Sequence, residues 1–398
     1  MKLHLFNPQN DLALADGNAN YCAPPSASKI AYDLASLPIW FADTNDYVLL
    51  PDKIHIDHYN SYSRIINLPK IFNSNINDIG KCVPWGWSPQ IKKRLRTMGF
   101  EELQLISDTT IDKLRQLSNR RTSIKILQEL SNEGIDLPQL PQYITKLDEV
   151  GEYVCSMPLS VIKAPWSGSG KGIAWGLGRK EIPVEHFAKG IIRKQGGVIC
   201  EKFLNKIVDF AMEFFLTEGK IYFKGYSLFN SVKGVYSGNI LASDNAIEDF
   251  LSEYIQKAEL LNLKEKMILT LENLFSDFNY AGYLGVDMMI YKDENDSHKL
   301  NPCVELNLRM NMGAASRILF DKYIGDNKTG IYKIDYFKQQ GKALAEHNIN
   351  TKKYPLILNN GKIESGYLSL SPVIEETQYM AYIIIDKNQN SLSSLYNR

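Results

Sequence analysis

Between Val161 and Trp175 an apolar run ends in a lysine, Val161-Ile162-Lys163. It passes through Ala164-Pro165-Trp166 into the small-residue segment Ser167-Gly168-Ser169-Gly170-Lys171-Gly172, and a second apolar run, Ile173-Ala174-Trp175, follows. This order predicts strand, flexible loop, strand. Glycines let a backbone approach an anion closely, and Lys171 adds charge to the loop. A lysine at the end of an apolar strand needs a solvent shell or a counter-ion, because burying a lone ammonium is costly. A polyphosphate would supply that counter-ion; a surface hairpin with a solvated Lys163 is the plainer alternative. A P-loop is excluded: Pro165 stands where that motif needs glycine, and Gly172 where it needs Ser or Thr. A dinucleotide fingerprint is excluded because a strand, not a helix, follows the glycines.

Further on, Leu284-Gly285-Val286-Asp287-Met288-Met289-Ile290 and Pro302-Cys303-Val304-Glu305-Leu306-Asn307-Leu308-Arg309 flank the polar segment 292–299. A hairpin centred near Asp296 sets Asp287 opposite Glu305, and the two-residue strand period adds Asn307 and Arg309 to the same face. Carboxylates opposed across a ladder destabilise it unless a cation lies between them. Oxygen donors from Asp, Glu and Asn suit Mg2+, completed by phosphates and water, and Arg309 can hold an anionic substrate or a transferring phosphate. A solvated sheet face is the alternative. The phosphate loop and the metal face, in this order, point to an ATP-using enzyme.

The bulk properties agree. The 398 residues exceed one typical core. With 45 basic and 45 acidic residues there is no global field to favour nucleic acid or an anionic membrane, and the basic helix carrying Lys92, Lys93, Arg94 and Arg96 reads as a solvated face. The five cysteines show no CxxC pair, which argues against a zinc ribbon or a disulfide framework and fits a reducing compartment. No apolar run approaches the ~20 residues of a membrane span. The expected location is cytoplasmic.

Residues 1–115 alternate short strands (Leu3 to Phe6, Val48 to Leu50, Leu103 to Ile106) with helices opened by Ser26 and Ser88, which predicts a small open α/β domain. An amphipathic helix over 118–133 ends at Gly134 and Pro138. Residues 116–205 read as a linker helix and lid subdomain, and 206–398 as a C-terminal subdomain with the metal site. Strands are expected at 198–204 in the former and at 210–216 and 221–228 in the latter, with helices at 246–261, 264–278, 313–324 and 331–347 and hairpin turns at Glu218-Gly219 and Asn360-Gly361.

With both sites in hand, residues 118–325 resemble the ATP-grasp superfamily: the lysine strand and glycine-rich lid around Lys163, the run Glu201-Lys202-Phe203-Leu204, and Asp287 with Glu305-x-Asn307-x-Arg309 appear in family order. The resemblance implies an α/β (α+β) ATP-grasp fold behind an N-terminal open α/β domain. It implies that Glu201 accepts from the adenine amino group, that the backbones of Lys202 and Leu204 hold its edge, and that Asp209 meets the ribose hydroxyls. Lys163, Ser167, Gly168, Ser169, Gly170 and Lys171 would hold the phosphates, and Asp287, Glu305 and Asn307 would bind Mg2+, with Mn2+ as an alternative. Asp209 falls one residue later than the family spacing. Leu308 replaces a common proline. Gly285 stands where several ligases carry an arginine, which leaves Arg309 or Arg317 to stabilise an oxyanion. For a second nucleotide lysine, counting back from Pro138 gives Lys125 and from Gly134 gives Ser123, with Arg120 and Arg121 close by.

The activity so implied is the joining of a carboxylate to an amine, or to a thiol, through an acylphosphate, with Lys163 and Arg309 as the catalytic side chains. A small-molecule kinase and a non-catalytic nucleotide sensor or scaffold are the rivals. The expected partners are small-molecule acids and amines, with a homodimer as a candidate assembly and no nucleic acid or membrane. The polar N-terminal segment (Asn7, Asn10, Asp11, Asn18, Tyr21), Trp85, Trp87 and Lys233 are further pocket candidates, balanced by capping, core packing and a surface turn.

Overall fold

The computed structural model describes residues 1–398 except 169–171, 233–234, 326–327, 387–391 and 397–398. Three sheets form among the described residues. The first is parallel, in the order Lys70–Ile71, Tyr47–Val48, Lys2–Leu5, Lys81–Pro84. Parallel strands require crossovers, and helices Pro25–Asp33 and Lys53–Tyr62 supply two of them. The second helix begins where Asp52 accepts the N–H groups of Ile54 and His55. Ser88 caps Pro89–Thr97 as its sequence suggests, but the Ser26 helix starts at Pro25 and stops at Asp33.

No strand forms at 103–106. Glu101 and Gln104 close a capping box around a 3-10 turn at Glu102–Gln104, which leaves Leu103 91% exposed. The first sheet instead recruits Lys70–Ile71 and Lys81–Pro84, segments too short and too polar to show a strand period.

The second sheet is antiparallel, in the order Gln142–Ile144, Val198–Lys202, Ser160–Lys163, Ile173–Gly176. Helices Leu147–Cys155 and Ile182–Gln195 cover one face with a small core that contains Val150, Val154, Ile162, Val184, Val198 and Cys200. Strand alternation therefore turns Val161, Lys163 and Glu201 to the other face.

The third sheet has nine antiparallel strands, from His298–Asn307 and Gly282–Lys292 through Asn205–Thr217, Lys220–Val232, Val235–Leu241, Gly330–Tyr336, Tyr379–Ile385 and Lys362–Ser369 to Ile357–Asn359. Along Asn205–Thr217 the residues Val208, Phe210, Met212, Phe214 and Leu216 are fully buried. They share a core with Leu260, Leu263, Met267, Leu271 and Phe275 of helix Lys257–Phe275 and with Ile126, Leu127 and Leu130 of helix Arg121–Asn132. The alternate residues Asp209, Ala211 and Glu213 take the opposite face. Both expected hairpin turns form with two successive left-handed residues, Glu218-Gly219 (φ 52° and 71°) and Asn360-Gly361 (φ 49° and 77°), the geometry that matches strand twist.

The helix expected over 331–347 divides. Gly330–Tyr336 is a strand between Val235–Leu241 and Tyr379–Ile385, and the helix is confined to Lys342–Lys353. Gly341, at φ 76°, is left-handed and cannot lie inside a helix. A short helix, Leu392–Tyr396, was not expected from the sequence. Trp40 donates to the Leu370 carbonyl (2.7 Å) and Met310 N–H to that of Trp85 (3.0 Å), which ties the N-terminal sheet to the large one. Leu271→Ala removes a fully buried side chain from the shared core. The expected loss is about 2–5 kcal/mol, read as a lowered midpoint in thermal or urea unfolding.

Candidate functional site

The hairpin sets Asp287 directly opposite Glu305 and Gly285 opposite Asn307. On the inner side Ala211 faces Asp287 and Glu213 faces Gly285, so four acids, Asp209, Glu213, Asp287 and Glu305, share one face. Asn307 donates to Asp287 (3.0 Å). Burial, then the charges of Glu305 and Glu213, hold the Asp287 carboxyl well above the usual carboxylate range, against the Asn307 hydrogen bond.

Glu213 is 1% exposed, and burial pushes it up to about 7 although Asn311 (2.9 Å) and the Ser227 hydroxyl (2.9 Å) both donate to it. Two glycines make its space: a Cβ on Gly285 would lie 2.6 Å from one Glu213 oxygen, and a Cβ on Gly313 2.0 Å from the other. No arginine side chain fits at Gly285.

Lys163, 7% exposed, forms an ion pair with Glu201 on the neighbouring strand. The loop beyond it is rooted by Trp166, whose indole donates to the Arg115 carbonyl (2.9 Å) and whose N–H donates to Gln195 (3.0 Å). Arg120 then joins the loop to the strand that carries Glu305. Its Nη1 donates to the Ala164 carbonyl (2.6 Å) and the Ser167 hydroxyl (2.8 Å), and its Nη2 to both oxygens of Glu305 (2.8 Å each). From the first turn of helix Asn10–Asp16, Asp11 takes a two-pronged hydrogen bond from Arg309 (2.7 and 2.5 Å) and lies against Gly168. A cavity of about 10 Å³ between Asp11, Trp166, Ser167, Glu305 and Asn307 marks the meeting of loop, acidic strand and N-terminal segment.

No protein-family model matches the sequence, and no curated protein matches it. Solved structures match in three dimensions. N5-carboxyaminoimidazole synthetase from Staphylococcus aureus, complexed with ADP, aligns over 99% of this chain and 95% of its own at a TM-score of 0.52 and 12% identity. Biotin carboxylase from Campylobacter jejuni, in a β-γ-ATP complex, aligns over 98% and 88% at 0.51 and 11%. The biotin carboxylase domain dimer of the Hydrogenobacter thermophilus 2-oxoglutarate carboxylase, with MgADP, ADP and bicarbonate, aligns over 97% and 86% at 0.50 and 10%. The chain has the ATP-grasp fold.

Within the ATP-grasp frame the candidate residues fall unevenly. Lys163, Ser167, Gly168, Asp287, Glu305, Asn307 and Arg309 converge through Arg120 and Asp11. Glu201 joins them through Lys163. Lys202 is half-exposed and pairs with Glu294 (2.7 Å), so its side chain is engaged elsewhere; half-buried Leu204 follows the strand end. Asp209 pairs with Lys206 and accepts from Ser231 (2.6 Å), further along the acidic face. Lys125 is exposed on its helix, and the structure brings Arg120 rather than Lys125 onto Glu305. Arg317 is held by the Ala242 carbonyl (2.8 Å), Asp244 (3.4 Å) and Asp321 (2.5 Å). Trp85 belongs to the core, edge-on to Phe6. Ser169, Gly170, Lys171 and Lys233 lie outside the described residues.

The sequence reading did not single out Glu213 and named Asp11 only within a polar segment. The signal for Glu213 was the alternation Asp209-x-Ala211-x-Glu213 between buried apolar residues. Among the described residues no cluster of three His, Cys, Asp or Glu has metal-binding geometry. Two carboxylates and an amide make an incomplete oxygen set, which fits a Mg2+ ion that arrives with phosphate ligands. No described helix is long and apolar enough to cross a membrane.

The buried acid has a measurable consequence. A carboxyl whose pKa rises on folding contributes stability that is fully present below its ordinary value, 4.5, and is lost as pH climbs through about 7. Glu213→Gln keeps the shape without the titration. Wild type should lose melting temperature relative to this variant between pH 4.5 and 7, and parallel pH profiles would contradict the assignment.

Proposed function

We propose that the chain is an ATP- and Mg2+-dependent ligase that joins a carboxylate to an amine or thiol through an acylphosphate. The observation that carries the reading is the convergence of the lysine-tipped strand and lid root with the opposed carboxylates on one cleft, bridged by Arg120. In this reading Glu201, with the backbones of Lys202 and Leu204, holds adenine, Asp209 meets the ribose, and Lys163 leaves Glu201 for the phosphates. Lys125 lies too exposed to be favoured as a phosphate ligand. Asp287, Glu305 and Asn307 would hold Mg2+ or Mn2+, which when bound neutralises charge on the β- and γ-phosphate oxygens.

The substrate carboxylate oxygen takes the γ-phosphoryl group as the bond to the β-phosphate breaks and ADP leaves. The nucleophile then attacks the acyl carbon, loses its proton and displaces phosphate. Arg309, fixed by Asp11, would orient the anionic carboxylate, and the loop rooted at Ser167 and Gly168 would exclude water from the acylphosphate. Units at 1–115, 116–205 and 206–398, a cytoplasmic location and a homodimer complete the reading. The five cysteines, all free thiols, support a reducing compartment.

The deciding test is an ADP-release screen across amino acids, peptides and other carboxylates with Mg2+. Amide or thioester product supports the ligase. Phosphorylated product alone selects a kinase, and nucleotide binding without turnover across the panels selects a sensor. Asp287→Asn or Glu305→Gln should lower turnover by about a hundredfold or more while leaving the fold intact by circular dichroism; near-normal turnover in either would remove the metal assignment. Lys163→Ala should weaken ADP binding about tenfold by calorimetry, and unchanged affinity would remove Lys163 from the phosphate site.

A further inference from the structure

Arg120 is 8% exposed, and two of its three guanidinium nitrogens are engaged. One nitrogen anchors the lid root through Ala164 and Ser167, and a second spans both oxygens of Glu305. The third, Nε, is buried and has no acceptor among the described residues. Its backbone N–H also donates to the Pro165 carbonyl (3.0 Å), so the residue cannot drift from the loop. A guanidinium stays charged at every accessible pH. It therefore gives Glu305 a permanent positive partner where Asp287 would otherwise face it across the ladder with only an amide donor between. A buried donor without an acceptor is costly and marks a place for a ligand oxygen.

We propose that Arg120 is an exchangeable internal cation: in the nucleotide-free protein it occupies Glu305 and blocks the divalent ion, and the arriving metal–nucleotide displaces it onto a phosphate oxygen through the nitrogens it frees and the one left unpaired. This rests on the proposed nucleotide reading and adds an order to it, since the divalent ion cannot reach Glu305 until a phosphate has taken Arg120. Because the same side chain holds Ala164 and Ser167, the exchange also repositions the lid root.

The test is Mn2+ binding, read by loss of the free-ion paramagnetic resonance signal, with and without ADP. Wild type should bind Mn2+ weakly alone and at least tenfold more tightly with ADP. Arg120→Ala should bind Mn2+ without nucleotide at least tenfold more tightly than wild type, the size of effect expected when a neighbouring cation leaves a carboxylate, and should bind metal-free ADP less tightly. Arg120→Lys should fall between. The proposal is overturned if Arg120→Ala binds Mn2+ alone no better than wild type. It is also overturned if wild type binds Mn2+ equally well with and without ADP, an arm that stands even where the alanine variant does not fold. Failure of wild type to bind ADP at all would count against the nucleotide reading itself, while the nucleotide-free Mn2+ comparison would still decide whether Arg120 shields Glu305.

Discussion

Asp287 and Glu305 face each other across one rung of a ladder, and most of the surrounding chemistry answers that placement. Two like charges directly opposed are unfavourable, and more so where burial strips away water. The chain answers in three ways. The Asp287 carboxyl is pushed toward its neutral form. Asn307 supplies an amide donor to it. Arg120 supplies a full positive charge to Glu305 from another part of the fold. A third acid, Glu213, deepens the problem, and Gly285 and Gly313 leave room for it instead of covering it with side chains. A sheet built only for stability would fill this face with apolar residues, as the reverse face does.

The same logic runs through the other ion pairs. Lys163 with Glu201 and Arg309 with Asp11 join strands and loops far apart in sequence, and each pair is largely shielded from water. Such pairs are weak sources of net stability, because desolvation offsets most of the attraction. Their value lies in holding charged groups in fixed positions. The chain has no net charge, so whatever it does with anions must come from this local arrangement. Asp11 shows how the N-terminal sheet takes part. It sits in the first turn of helix Asn10–Asp16, the helix that follows the first strand of the open parallel sheet, and it meets Arg309 and Gly168 together.

Where a local pattern had one physical interpretation, the sequence was a sufficient guide. The Asp287–Glu305 pairing was expected from a turn at Asp296; the turn in fact centres one residue earlier, and a bulge between Asp287 and Met289 brings Asp287 opposite Glu305. The left-handed turns at Glu218-Gly219 and Asn360-Gly361 followed from residue chemistry, and the strand pair around Lys163 from apolar runs flanking glycines. Long-range choices were hidden. Nothing local says that Arg120 reaches Glu305, which lies 185 positions away, or that Asp11 reaches Arg309. Leu103 looked like part of a strand because an apolar residue in a short run has no period to test, and the Glu101–Gln104 capping box decided otherwise. Residues 330–336 alternate weakly enough to be read as the start of a helix, until their place between two strands fixes them as sheet.

Strand Asn205–Thr217 shows why stability and chemistry are hard to separate in this protein. Its odd and even positions face different worlds: Phe210, Met212 and Phe214 are wholly buried with the long helix, while Asp209 and Glu213 form the acidic floor. A one-residue slip would exchange the two sets and put carboxylates into the core. The apolar half therefore positions the polar half, and the floor is as rigid as the core beneath it. The segment Ala164 to Ser167 is different in kind. It is held above the floor by the indole of Trp166 and by hydrogen bonds to Arg120, a side chain already committed to Glu305. A segment held mainly by polar contacts opens at lower cost than one held by apolar packing. The fold thus pairs an acidic platform with a neighbouring segment whose attachment depends on the platform's own charge.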